Sequence, residues 1–396
     1  MTLIVKIRDI STQIRGVSYS KSDAISNMQD GYLPVLRANN IQEQGLFLDD
    51  FVYVPESKIS EKQRILAGDV IIAASSGSIS LVGKAASAKE DIKAGFGAFC
   101  KILRPNTKLV DPRYFANYFQ TQKYRQIISN LAAGANINNL KNEHLDDLEI
   151  LLPPLSEQHR IAAILDKADE LRQKRQQAIE KLDQLLQATF IDMFGDPVSN
   201  PNGWDLKAVG EVSESKLGKM LDKKKQSSEK DQYKYLRNAN VQWFKFDLSD
   251  LFEMEFNEKD RKNCELKFGD ILVCEGGEPG RAAIWKNDLE NCFFQKALHR
   301  VRLNTSQILP EYFVWLFWFY AKNGGFDDHI TVATIAHLTG IKMKAMQIPI
   351  PPITLQEEFQ KKVNEIEVLK TKHENSSKLV ENLFISLQNQ AFSGNL

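Results

Sequence analysis

Net charge is the first thing this chain lacks. Lys plus Arg and Asp plus Glu each number 51 in 396 residues, so no whole-chain electrostatic footprint marks a nucleic-acid partner. A long apolar run is missing too. The strongest, Tyr312 to Ala321, is about half the length that a membrane-spanning helix needs, and residues 1–8 lack the apolar core of a secretory signal. A cytoplasmic protein with no membrane partner is the expectation. Cysteine is scarce: Cys100, Cys264, Cys274 and Cys292 form no CxxC pair, and the six histidines show no HxxxH or HExxH spacing. No zinc site is preset, and reduced structural thiols are expected.

Catalytic signatures fall short as well. Gly77 to Gly83-Lys84 has a phosphate-loop look, but the spacing is one residue too long and Ala85 stands where Ser or Thr would hold magnesium. Gly95-Phe96-Gly97 runs on to Cys100 rather than to a third glycine, which argues against a dinucleotide site. Glu265-Leu266-Lys267 has the carboxylate and lysine of a nuclease without an evident aspartate partner. No Asp-Pro-Pro-Tyr or Asn-Pro-Pro-Tyr occurs, which removes the usual adenine methyltransferase centre. The expectation is a chain that is not itself an enzyme.

What is present is folded, soluble composition, with 43% hydrophobic and 26% charged residues, and a length beyond what one core usually organises. Self-comparison explains the length. A repeat of about 200 residues aligns the segment ending Leu36-Arg37-Ala38-Asn39-Asn40-Ile41 with the one ending Leu236-Arg237-Asn238-Ala239-Asn240-Val241. Further on, Ala67-Gly68-Asp69-Val70-Ile71-Ile72 matches Phe268-Gly269-Asp270-Ile271-Leu272-Val273, each leading into a Gly-rich stretch, which predicts turn, strand and tight loop. Asp111-Pro112-Arg113-Tyr114-Phe115 matches Leu309-Pro310-Glu311-Tyr312-Phe313, where proline suits a helix start. Each copy closes on a double proline, Pro153-Pro154 and Pro351-Pro352.

An amphipathic stripe follows each double proline. Ile161, Leu165, Ala168, Leu171, Leu182 and Leu185 match Phe359, Val363, Ile366, Leu369, Val380 and Leu383 at a constant offset of 198. Ser156 is a candidate N-cap, and Thr354 with Glu357 fits a capping box. A helix from Ser156 to Met193 would be about 37 residues or roughly 55 Å long, and it needs a partner to cover its stripe. Its own repeat, packed antiparallel, is the natural one. Both stripes turn polar at the same place, Arg175 with His373 and Ala178 with Ser376. Such a break either fixes register or marks a solvated section. The expected fold is therefore α+β. Two similar domains of mixed and antiparallel β with short helices, residues 1–152 and 196–352, are separated by two long antiparallel helices, residues 153–195 and 353–396. These helices form a coiled-coil-like spacer with pseudo-twofold symmetry.

The run Pro153-Pro154-Leu155-Ser156-Glu157-Gln158-His159-Arg160-Ile161, followed by Phe194-Gly195-Asp196-Pro197 and Asn202-Gly203-Trp204, resembles the specificity subunit of type I restriction-modification enzymes. The resemblance covers nearly the whole chain, with Leu355 and Phe359 departing from Glu157 and Ile161 in the second copy. It implies that each globular unit is a target recognition domain reading one half of a split site in double-stranded DNA, while the paired helices act as a ruler. It also implies two methyltransferase (modification) subunits docked on this scaffold and methylating adenine with S-adenosylmethionine, and restriction/translocase subunits driven by ATP. Magnesium too would sit on partner subunits, and no cofactor would be bound by this chain. Because the halves differ in their loops, the target would be bipartite and asymmetric. A coiled-coil scaffold with two protein-binding domains is the competing reading, favoured by the neutral charge.

Base reading needs donors and acceptors on loops, with Arg suited to guanine and Asn to adenine. Arg37, Asn39 and Asn40, with Arg237, Asn238 and Asn240, offer that chemistry, although residues shared by both copies also suit the fold or the phosphates. Divergent loops are better candidates for specificity: Ser75, Ser76, Ser78 and Lys84 against Glu275, Glu278 and Arg281. Lys84 and Arg281 each follow a glycine, where a cation can approach phosphate, or each marks an exposed hairpin tip. Asn136 and Asn138, with Thr331 and Thr334, form a second set just before each domain closes. Lys223, Lys224 and Lys225 are either phosphate contacts or a solvated loop. The aromatic run from Phe313 to Tyr320 is expected to pack in the core rather than to stack on bases.

Overall fold

The computed structural model describes residues 3–42, 45–76, 81–133, 139–220, 232–328, 331–332 and 336–396. They form two compact units, Met1–Gln177 with Glu374–Leu396, and Ala178–His373. The repeat gives both the same topology. In the first unit a four-stranded sheet runs Ser11–Arg15, Cys100–Pro105, Val70–Ala73, Ala85–Ser87, and in the second Ser213–Leu217, Leu298–Leu303, Ile271–Cys274, Ala282–Ile284. All its pairings are antiparallel. A three-stranded sheet adds one parallel pair, Tyr32–Leu36 with Gly95–Phe96 and its counterpart Gln232–Leu236 with Phe293–Phe294. A two-stranded sheet closes each domain, Leu3–Lys6 with Glu149–Leu152 and Leu206–Ala208 with Gln347–Pro349.

The Gly-Asp pairs organise the central strand. Gly68 and Gly269 hold left-handed backbone at φ +86° and +87°, a conformation that glycine adopts without strain, and all four residues of the strand that follows are buried in each copy. That is why the strand is uniformly apolar rather than alternating. The aspartate between turn and strand points inward. Asp69 takes Nε and a terminal nitrogen of Arg104 at 2.8 and 2.7 Å and the Leu66 N–H at 2.8 Å. Asp270 does the same with Arg302, at 2.7 Å twice, and the Lys267 N–H at 2.7 Å. Both carboxylates are about 1% exposed, so each survives burial only because a fork-to-fork cation and a backbone donor replace its water.

The short helices weld the sheets to the long ones. Pro112–Tyr118 starts on Asp111, whose carboxylate accepts the Arg113 and Tyr114 N–H groups. Pro310–Lys322 buries Tyr312 through Phe317, Phe319 and Tyr320, so the aromatic run is core, as expected. Tyr114 and Tyr312 each donate their hydroxyl to the closing strand, to the Leu151 carbonyl at 2.7 Å and the Pro349 carbonyl at 2.9 Å.

The long helices span Leu155–Phe194 and Ile353–Ser393, 40 and 41 residues, or about 60 Å each. They begin one residue earlier than the expected caps, so Ser156 and Thr354 fall inside the first turn. Buried glutamines tie the helix starts down instead. Gln158 donates to the Pro153 and Leu109 carbonyls and accepts the Asp111 N–H. Gln356 donates to Pro351 and Gln307 and accepts the Leu309 N–H. The buried face also differs in part from the expected stripe: Leu171, Leu185, Leu369 and Leu383 are exposed, while Leu186, Phe190, Phe194, Phe384 and Ala391 are buried. A 3.6-residue helix drifts against a fixed seven-residue spacing, and the exposed Leu185 and Leu383 each stand one residue before a buried one, Leu186 and Phe384.

The helices run antiparallel in each unit. In the first, Arg160 reaches the Leu396 carbonyl at 2.8 Å while Arg172 meets Glu381 at 3.4 Å and the Phe384 ring at 4.9 Å. In the second, Lys370 pairs with Asp183 at 2.7 Å and Phe359 packs edge-on against Phe190 and Phe194. Arg175 and His373 are each half-buried, so the shared polar break is not a freely solvated section. No described helix is long and apolar enough to cross a membrane. Removing the cation from a buried pair strands its carboxylate, so Arg104→Ala should cost about 3 kcal/mol. The check is urea denaturation, with Arg302→Ala giving a similar loss in the other unit.

Candidate nucleic-acid interface

In the first unit, four segments distant in sequence meet. The Gly97 N–H bonds the Leu36 carbonyl at 2.8 Å, the Ala74 and Ser75 N–H groups bond the Phe99 carbonyl at 2.8 and 3.0 Å, and the Leu140 N–H bonds the Ala74 carbonyl at 2.7 Å. Ser75 and Asn139 bridge as one antiparallel pair. The Arg-x-x-Asn loop, the loop after Val70–Ala73 and the segment before domain closure therefore converge. Lys101 supports the junction from the sheet, donating to the Leu140 carbonyl at 2.7 Å and to Asn142 Oδ1 at 2.8 Å. Burial lowers its pKa from the ordinary lysine value.

The second unit repeats the junction with different side chains. The Gln295 N–H bonds the Leu236 carbonyl, the Glu275 N–H bonds the Ala297 carbonyl and the Leu338 N–H bonds the Glu275 carbonyl, at 3.0, 3.0 and 2.7 Å. Gly276 bridges to His337, and Thr331–Val332 pairs with Ala336–His337. Asn238 donates to the Gly276 carbonyl at 2.9 Å. Arg281 is engaged at both ends, with Glu278 at 3.2 Å and the Asn238 carbonyl at 2.9 Å, and Trp243 Nε1 donates to the other Glu278 oxygen at 2.7 Å. Where Lys101 stands in the first copy, the second has His299, buried beneath Leu338. Burial pushes its pKa below the usual histidine value; Glu275 opposes the shift and Lys344 adds to it.

The shared Arg-x-x-Asn residues shape the loop. Asn40 donates to the Phe47 and Asp49 carbonyls and accepts the Arg37 N–H; Asn240 does the same with Asp247, Asp250 and Arg237. Both are at most 2% exposed, so their expected role as base readers gives way to scaffolding. Arg37 and Asn39 both hold Asp50, and Arg237 pairs with Asp250 while lying 3.7 Å over the Phe252 ring. Ser75, Ser76 and Glu275 are half-buried at the junctions, whereas Lys84, also half-buried, lines a groove with Arg125, Asp166 and Asp169. Ser78, Asn136, Asn138, Lys223, Lys224, Lys225 and Thr334 lie outside the described residues, as does the side chain of Thr331. Sequence reasoning missed Lys101 and His299; their signal was an ionisable residue at the same repeat offset of 198. Among the described residues no group of three or more His, Cys, Asp and Glu is placed to hold a metal ion. All four cysteines are buried free thiols, and burial pushes Cys100 and Cys292 up to about 12.

Two heads with one scaffold and unlike loops, each resting on halves of two long helices, define a duplicated recognition subunit. The model of the type I restriction modification DNA specificity domain matches residues 3–181 and again 201–380. The chain belongs to that family, as a DNA sequence-specificity subunit with two target recognition domains. It is 31% identical over 415 residues to the EcoKI specificity subunit of Escherichia coli K12, covering 100% of this chain and 89% of that protein. With the StySPI specificity subunit of Salmonella potsdam it shares 29% over 414 residues, 98% and 88% of the two chains. The fold is also similar to a solved chain from a type I R-M system, at TM-score 0.60 and 16% identity over 100% and 98% of the chains. The crystal structure of the M. genitalium S subunit is similar at TM-score 0.55 and 14% identity over 99% and 96%.

Two outcomes follow for the junctions. Asn40→Ala removes an enclosed amide with three hydrogen bonds, and should cost about 2–3 kcal/mol in denaturation while leaving the base preference of either half-site unchanged in duplex selection. Burial lowers the pKa of His299 in the folded state, whereas the unfolded chain takes up a proton near the ordinary value of 6.5. Its contribution is therefore intact above pH 6.5 and is lost as pH falls below it. His299→Gln should flatten the decline of the urea midpoint between pH 6.5 and 5 relative to wild type.

Proposed function

We propose that this chain reads a bipartite, asymmetric DNA target, one half-site per recognition domain, and does so without catalysing a reaction itself. One observation carries this reading. The two heads keep the same backbone junction but differ in the side chains that border it: Ala74, Ser75, Asn139 and Lys101 in one stand where Glu275, Gly276, His337 and His299 stand in the other. Conserved backbone with divergent edges is what two readers of different half-sites require, since phosphate and scaffold contacts position while base contacts specify.

Adenine methylation with S-adenosylmethionine, and restriction with ATP and magnesium, belong in this reading to two methyltransferase subunits and to restriction subunits seated on the scaffold. The setting is the cytoplasm, where the DNA is. The long helices set the gap between half-sites, and a helix of about 60 Å is ample for a separation of about one turn of B-DNA, roughly 34–36 Å.

The full chain with its methyltransferase subunits, challenged with a randomised duplex library, should select two unlike half-sites at fixed spacing. Exchanging residues 1–150 for another recognition domain should alter one half alone. A turn of helix added near residue 175 and at its counterpart in the second helix should lengthen the gap. Selection of no sequence would refute the reading, and an unaltered gap would refute the ruler.

A further inference from the structure

The turn entering the Cys100–Pro105 strand holds a residue of the junction, Phe99, that no sequence expectation covered. It reads Gly97-Ala98-Phe99-Cys100 in the first copy and, at the offset of 198, Gln295-Lys296-Ala297-Leu298 in the second. Its backbone is held alike in both. The Cys100 N–H returns to the Gly97 carbonyl at 2.8 Å, and the Leu298 N–H to the Gln295 carbonyl at 3.0 Å. From beneath, Gly16 packs so closely that a Cβ there would lie 2.0 Å from the Gly97 carbonyl oxygen. With the bonds to Leu36, Ala74 and Ser75 already described, the turn is a rigid platform at the centre of the convergence.

On that platform stands Phe99, 70% exposed, between the fully buried Phe96 and Cys100. A single exposed apolar residue is ordinary on a protein surface. This one differs in position: its own carbonyl anchors the start of the divergent loop, and Ser75, bonded to it, pairs with Asn139. The junction thus brings an exposed apolar ring together with a hydroxyl-bearing and an amide-bearing residue. That mixture fits the edge of a base pair, where an apolar side chain recognises the thymine methyl group, better than the wholly apolar faces of an opened base step. The second head has no counterpart, because Ala297 is small and its neighbour Lys296 is an exposed cation.

We propose that Phe99 is a specificity-determining residue of the N-terminal recognition domain, contacting the 5-methyl group of a thymine in its half-site through the major groove. This assignment rests on the recognition-subunit reading above.

The test uses the full chain with its methyltransferase subunits and the duplex that the wild type selects. The half-site read by the N-terminal domain should contain a thymine whose replacement by deoxyuridine weakens binding about fourfold, the effect of one methyl group returned to water. Phe99→Ala should weaken binding to the thymine duplex by at least as much, should be indifferent to the deoxyuridine exchange, and should leave the other half-site unchanged. Phe99→Leu, which keeps an apolar tip, should retain part of the discrimination. An N-terminal half-site without thymine, a Phe99→Ala selection identical to wild type, or a deoxyuridine effect that persists in Phe99→Ala would overturn the assignment while leaving the recognition-subunit reading standing. A wild-type complex that selects no sequence overturns both.

Discussion

Behind each recognition loop lies a carboxylate shut off from water and gripped by both arms of one guanidinium. Asp69 with Arg104 and Asp270 with Arg302 carry a buried carboxylate into each domain, and the cost is met only in one geometry. That geometry fixes where the central strand begins, and the strand in turn fixes where the divergent loop leaves it. The backbone bonds from Ala74, Ser75 and Glu275 to the neighbouring turn extend this constraint to the edge of the head. Since none of these bonds uses a side chain of the loop itself, the loop can change its chemistry without unmooring its frame. Variable reading on an invariant support is the physical content of a recognition domain.

The heads meet the long helices through a second buried polar group. Gln158 and Gln356 each satisfy the carbonyl of the first proline of the pair and the N–H that opens the adjacent loop or short helix. Both long helices thus start at a fixed point on their own domain. Aromatic packing on the other side, Phe190 and Phe194 against Tyr312 in one unit and Phe392 against Tyr114 and Tyr118 in the other, leaves little freedom for the helix to swing. A domain mounted this stiffly is suited to holding its loops at a set distance and angle from a target.

Much of this was legible in the residues. The duplication, the double prolines, the Gly-Asp turns and the long helices are carried by local spacing and by a constant offset, and such signals survive without any knowledge of tertiary contacts. Where the sequence misled, a tertiary contact intervened. Ser156 and Thr354 looked like caps because capping residues are recognised locally, yet both fall inside the first turn, and what anchors each helix start is a buried glutamine bonded to a loop almost 50 residues away. Asn40 and Asn240 offered the right chemistry for adenine, but their amides are consumed by the turns that follow them. Lys101, His299 and Phe99 were passed over for the complementary reason. Each lies on or beside a strand whose pattern is ordinary, and each matters only because loops from distant parts of the chain close around it.

The composition of the two units bears on how the polypeptide is made. The second is one uninterrupted stretch, Ala178–His373, whereas the first joins Met1–Gln177 to Glu374–Leu396 and needs Phe384, Ala391 and Phe392 to finish its core. Domains usually mature in the order in which the ribosome delivers them. Here the order is inverted: the head synthesised first keeps an apolar flank open until residues 374–396 emerge, after the whole of the second unit.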